Sequence, residues 1–207
     1  SMPPIPQQDR SRETRRNLLD AAIATLSEHG AAATTVSAVA TRAGVSRGAA
    51  QRHFLTRDVL IEETVTEFYA RLTRDLRQAV ADLGPTPGDP TGQPSTTKVV
   101  ELVVDSFSSD SFRAALHVWS AAAGAESDLG GLIVSADARY AREVLQLMAL
   151  ALDADMLDGP TRELLRMTVD LARGLGLGAV LIDNADHRRR TVARWSTMLE
   201  QGVRRNS

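Results

Sequence analysis

The residues best suited to chemistry lie close together, at positions 35–54, TVSAVATRAGVSRGAAQRHF. Arg47 and Gln51 are four residues apart, which brings both onto one face of a helix, and Arg52 follows directly. Arginine grips the N7 and O6 edge of guanine with two parallel bonds, and a glutamine amide matches adenine in the same way. Thr35 and Ser46 each precede a short helical run, where a hydroxyl accepts a bond from the first free backbone N–H groups. Gly44 falls where the chain must turn with positive φ, and Ala40 is small where two helices would cross. Val36, Val39, Val45 and Ala50 point inward, and Gly48 lets backbone approach a partner closely. These are the requirements of a helix-turn-helix that presents its second helix to a major groove.

Other chemistries lack their residues. There is no cysteine, which removes disulfides, thiolate metal sites and thiol nucleophiles. The four histidines, at 29, 53, 117 and 187, have no metal-ligand spacing, and Asp153, Asp155 and Asp158 lack the ligand series of a calcium loop. The GLGLG run at 174–178 follows no strand, and its third glycine is misplaced for a nucleotide loop. No nucleophile and base are paired, so neither an enzyme, a cofactor nor a metal is expected.

The elements that position residues 35–54 must be helices. Aromatics make up 4% of the 207 residues and no stretch alternates apolar and polar side chains over more than a few residues, so strand signals are nearly absent. Helical periodicity predicts an all-α chain with helices at 11–29, 36–43, 47–54, from a Thr56 cap to Leu83, 96–108, 111–123, 126–152, 161–183 and 187–204. Four prolines and three glycines within positions 84–95 predict an exposed, mobile loop. Net charge is −2 overall, but residues 1–58 carry eight arginines against five acids, a balance of +3, and the remainder −5. A basic head on an acidic body suits a small DNA-reading domain attached to one that does not touch DNA. No apolar run is long enough for a membrane span or leader, and a cytoplasmic location with no membrane partner is expected.

The pattern T-V-x-x-V-A-x-x-A-G-V-S-x-G-x-x-x-x-H-F, followed by Thr56-Arg57-Asp58-x-Leu60, resembles the DNA-binding domain of the TetR (tetracycline-repressor-like) family over residues 12–62. The resemblance implies a three-helix N-terminal domain at 10–56, and an effector-binding and dimerisation domain at 57–207 entered through a long fourth helix. With the side-chain chemistry, it assigns Arg47 and Gln51 to base edges, with Arg52 beside them. Thr35, Ser46, His53 and Arg57 go to phosphates, and Arg42, Val45 and Gly48 complete the expected DNA-facing set. His53 fits either a phosphate contact or a polar partner in the core. Arg10, Arg12, Arg15 and Arg16 fit either a basic arm along the backbone or minor groove, or a solvated helix face. Gln51 departs from the family, which usually carries an aromatic there, and Ala50 is smaller than the leucine often found.

The resemblance also implies a homodimer formed by the last two long helices, on double-stranded DNA with a palindromic operator. Residues 174–182 carry no charge, so that helix must be buried on more than one side. Gly174 and Gly178, on one face, allow close helix approach, and Leu175, Gly178, Ile182, Trp195 and Leu199 are the interface candidates. Candidate effector contacts are Phe68, Leu72, Phe107, Leu116, His117, Trp119, Tyr140, Met148, Met167 and Leu171. The predominance of Leu, Val, Ala and Met points to a small apolar or amphipathic effector that releases a repressor from DNA. The alternative is the same fold acting through a protein partner or as an activator, without an effector.

Overall fold

Thr35 and Gly44 bracket the first short helix and set the geometry of the N-terminal domain. The computed structural model describes residues 7–123 and 128–207. Its helices are α1 (Gln7–His29), α2 (Val36–Ala43), α3 (Arg47–His53), α4 (Arg57–Ala81), α5 (Thr96–Ser106), α6 (Asp110–Ala123), α7 (Asp128–Leu152), α8 (Gly159–Leu181) and α9 (Ala185–Gly202). The fold is all-helical, with a helix-turn-helix at its N-terminal end. Segment 1–6 and the expected helix start at Glu126 lie outside the described residues. Observed ends differ from expectation by a few residues: α1 begins at Gln7, and Asp158 caps α8 two residues ahead of Thr161.

Two compact units make up the chain, Ser1–Ala70 with Ala114–Ala136, and Arg71–Arg113 with Asp137–Ser207. In the first, Leu18, Leu19, Ala21 and Ala22 of α1 pack with Val39 and Ala40 of α2, Ala50 of α3, Phe54 and Leu60. The unit runs past the expected boundary at residue 56, because Leu60 on α4 belongs to this core. Gly30 closes α1 at φ 80°, and its carbonyl accepts the hydroxyl of the buried Thr34 at 2.9 Å.

In the second unit, Val99, Val100, Val103 and Val104 of α5 meet Leu165, Val169 and Ala172 of α8 and Val192 and Leu199 of α9. Tyr140, Val144, Met148 and Leu152 repeat every four residues and bury one stripe of α7. The three glycines of GLGLG sit in three different surroundings. Gly174 is exposed with open space around it, while Gly176 is buried against the backbone of Phe107. A β-carbon at Gly178 would meet the Asn184 amide at 3.1 Å, and that amide closes α8 by donating to the Leu175 carbonyl at 3.1 Å. The close approach is therefore at Gly176, within the protomer, rather than along a Gly174–Gly178 face.

The loop at 84–95 is tied down where mobility was expected. Thr86 N–H donates to the Gln93 carbonyl at 2.8 Å, and Arg205 Nη1 donates to Gln93 Oε1 and to the Leu152 carbonyl, each at 2.6 Å. Among the described residues no helix is long and apolar enough to cross a membrane, and no group of three metal-ligating side chains occurs.

Candidate nucleic-acid interface

The turn between α2 and α3 is built from caps. Thr35 Oγ1 accepts the Ala38 N–H at 3.1 Å, and Ser46 Oγ accepts the Ala49 N–H at 3.1 Å, so each helix begins on a hydroxyl. Both hydroxyl hydrogens stay available for a phosphate oxygen. Gly44 adopts φ 69°, ψ 28°, and Val45 N–H reaches back to the Ala40 carbonyl at 3.0 Å, which closes α2 in a left-handed cap. Val45, half-buried, packs on the core of the first unit and fixes where α3 starts.

Ala50 and Phe54 anchor the inner side of α3 in the core. On the outer side Arg47, Gly48, Gln51 and Arg52 are all exposed. Among the described residues, neither arginine has an ion pair and the Gln51 amide has no hydrogen bond, so all three are free to meet an outside ligand. Gly48 is an ordinary helical residue, and a β-carbon there would meet nothing within 4 Å. Nothing in the protomer requires glycine at this position. His53 is half-buried, its ring centroid 6.3 Å from that of Phe54.

The remaining expected contacts are engaged by the chain itself. Arg42 forms a two-pronged pair with Glu28, at 2.8 and 2.9 Å, linking α2 to α1. That pair holds the Glu28 carboxyl below its ordinary range and raises the Arg42 guanidinium. Its fork is directed at Glu28, so in the protomer Arg42 braces α2 against α1. Arg57 donates to the Ala31 carbonyl at 2.6 Å and fastens the start of α4 to the α1–α2 turn.

Arg15 is neither a basic arm nor part of a solvated face. It pairs with Glu63 on α4, and its guanidinium carbon stands 5.4 Å from the Phe54 ring centroid. Arg10, Arg12 and Arg16 are exposed. Sequence reasoning missed the Glu28–Arg42 and Arg15–Glu63 pairs because their partners are 14 and 48 residues apart.

The expected effector contacts are divided between the two units. Phe68, Leu116, His117 and Trp119 belong to the first unit, where the Trp119 indole N–H donates to the Tyr69 hydroxyl at 3.0 Å. Phe68 is buried and Leu116 half-buried, but His117 is exposed, which removes it as the polar contact of a buried pocket. In the second unit Leu72 and Tyr140 line one open cleft of about 630 Å3. Phe107 and Met148 are core residues, Leu171 is half-buried, and Met167 is 46% exposed and so lies outside any interior pocket. Burial raises the pKa of the Tyr140 phenol.

The interface candidates divide similarly. Leu175 and Leu199 are buried within the protomer and have no surface to offer a second copy. Trp195 is half-buried and donates to Thr168 Oγ1 at 2.9 Å, and Gly178 faces Asn184. Ile182 is 69% exposed, and it shares α8 and its end with exposed Met167, Leu177, Val180 and Leu181, while Met198 is an exposed large apolar residue of α9.

A family model described as "Bacterial regulatory proteins, tetR family" matches residues 18–64, the segment that contains the whole helix-turn-helix. The HTH-type transcriptional regulator CymR of Pseudomonas putida is 38% identical over 79 residues, 38% of this chain and 39% of CymR. The similarity thus spans about two fifths of that relative. Solved structures extend the likeness in fold to most of the chain. A TetR-family member from Streptomyces coelicolor superposes with a TM-score of 0.63 at 21% identity, covering 88% of this chain and 98% of that one. A regulator from Saccharomonospora viridis, solved in complex with choline, gives 0.63 at 16% identity, covering 94% and 100%.

Proposed function

We propose that this chain, whose residues 18–64 match the family model of tetR bacterial regulatory proteins, is a homodimeric repressor of that family, released from a palindromic operator by a small molecule. The observation that carries this reading is the outer face of α3, where Arg47, Gln51 and Arg52 are exposed and have no partner among the described residues, on a helix capped by Ser46. Arg47 and Gln51 read base edges and Arg52 lies beside them, while Thr35, Ser46, His53 and the free donors of Arg57 meet phosphates. We assign residues 10–56 to DNA binding and residues 57–207 to effector binding and dimerisation.

Helix α4 carries the signal in this reading, because it is one continuous helix whose residues up to Ala70 belong to the first unit and those from Arg71 to the second. The paired reading helices must meet half-sites roughly 34 Å apart, so a small displacement of α4 lowers operator affinity. Exposed Leu177, Leu181 and Ile182 support a second copy seated on α8. The open cleft beside Tyr140 and the choline complex of the Saccharomonospora viridis neighbour support a small-molecule effector over the protein-partner alternative.

Selection of genomic fragments by the purified protein tests this reading, followed by binding to the recovered site across a salt series with and without a compound library. The expected result is a palindrome bound with steep salt dependence and released by some compound. A palindrome that no compound releases moves the reading to a partner-dependent regulator. Recovery of no site overturns it.

A further inference from the structure

The cleft beside Tyr140 carries more negative charge than an apolar effector would use. We infer that it takes an organic cation with an apolar body, an inference that rests on the effector-binding reading above. Leu72, Leu76, Ala79 and Leu83 of α4 and the α4–α5 loop, with Leu102 of α5, form the apolar wall, and Asp75, Glu101 and Asp105 face the same space. Lys98 is the single basic residue in the lining, which leaves a local balance of two negative charges. Among the described residues none of the three carboxylates has an ion pair or a side-chain hydrogen bond, and Lys98 does not come within ion-pair distance of any of them.

The exposure pattern orients the ligand. Asp75, Glu101 and Asp105 are exposed at the rim, while Leu76 and Tyr140 are buried and Leu72, Ala79, Leu83 and Leu102 half-buried beneath them. An apolar body therefore enters toward the leucines and its positive centre stays among the carboxylates. A concave apolar wall focuses the field of the rim charges, because field lines are not dispersed there by water on all sides. The volume, about 630 Å3, is that of a site for a drug-sized molecule. An anion of the same shape meets repulsion at the rim, so charge rather than size is the selecting property.

Isothermal titration calorimetry of the full chain with tetraphenylphosphonium, uncharged triphenylphosphine oxide and tetraphenylborate tests the inference. The phosphonium is expected to bind about tenfold or more tightly than either comparator, with a preference that falls as salt rises. Replacing Asp75→Asn, Glu101→Gln and Asp105→Asn together should weaken the phosphonium by about tenfold and leave the phosphine oxide unchanged. Lys98→Met should strengthen phosphonium binding. Equal affinity for the three probes, or a cation preference that survives the triple substitution, overturns the inference. Operator release followed in the same samples separates the two readings. Phosphonium that binds without releasing DNA supports the cation site and overturns gating there. Release by the phosphine oxide or the borate, bound at this cleft, supports gating and overturns the cation class.

Discussion

A β-carbon at Gly176 would stand 2.8 Å from the carbonyl carbon of Phe107, closer still to its oxygen, and 3.1 Å from the Phe112 ring. The neighbour that would have to move is backbone, fixed by the end of α5, so the clash has no inexpensive relief. Gly176→Ala should destabilise the protein by about 1–3 kcal/mol, toward the upper end of the range for overpacking. Gly174→Ala, two residues away on an exposed turn with open space around it, should stabilise α8 by about 0.5–1 kcal/mol. Urea midpoints that shift in opposite directions meet this expectation; equal shifts would place the close approach elsewhere.

Gly48 separates folding from reading. An added methyl has nothing to strike within the protomer, so Gly48→Ala should raise stability by a few tenths to about 1 kcal/mol through helix propensity. If α3 sits in the major groove with its backbone close to DNA, the same change lowers operator affinity. Thermal unfolding and a gel-shift titration on one sample check both signs, and unchanged DNA affinity would show that α3 does not approach DNA at Gly48.

Arg47 and Arg42 should behave differently although both are exposed arginines of the same motif. Arg47→Ala is expected to cost roughly 1–3 kcal/mol in operator binding and to relax preference at one base position. Arg42→Ala breaks the pair with Glu28 and should leave base preference intact. Binding-site selection on both variants checks this. A changed profile for Arg42→Ala would add that residue to the reading set.

The dimer prediction moves outward from the buried residues. A charge at Leu175 would enter the core of the second unit and unfold it, which says nothing about association. Leu181 is 78% exposed, so Leu181→Glu should retain helical circular dichroism and sediment as a monomer. A folded, dimeric variant would place the interface away from the end of α8.

Asp158 gives a pH signature. The Thr161 hydroxyl and backbone N–H both donate to its carboxylate, at 2.7 and 2.9 Å, and hold its pKa below the ordinary value. A depressed folded-state pKa contributes stability that is present above the unfolded value of about 3.9 and lost as pH falls through the lower folded value. Asp158→Asn removes that titration while keeping an acceptor for the cap. Urea unfolding across acid pH should show a shallower loss of stability in the variant than in the parent, and parallel curves would mean that the cap does not titrate.

Local requirements account for what the residues alone revealed. Thr35, Gly44 and Ser46 each answer a need within four residues, an unpaired N–H or a positive φ, so α2, the turn and α3 were legible to within a residue. The exposed trio Arg47, Gln51 and Arg52 followed from the same periodicity. The ion pairs of Arg42 and Arg15 were not legible, because an arginine's engagement depends on whether a carboxylate lies nearby in space, and Glu28 and Glu63 come from other helices.

By itself, then, the sequence determined the all-helical class, the caps, the exposed face of α3 and the segment that matches the tetR family model. Those features rest on hydrogen bonds and side-chain directions repeated every turn. Tertiary structure alone decided which apolar residues are core and which are surface. Leu175 went inward while Leu177 stayed exposed, since the uncharged run 174–182 is apolar on every side and carries no mark of which side its own protomer covers. It also decided that Asp75, Glu101 and Asp105 share a cleft with Tyr140, because residues on α4, α5 and α7 meet only when the helices pack.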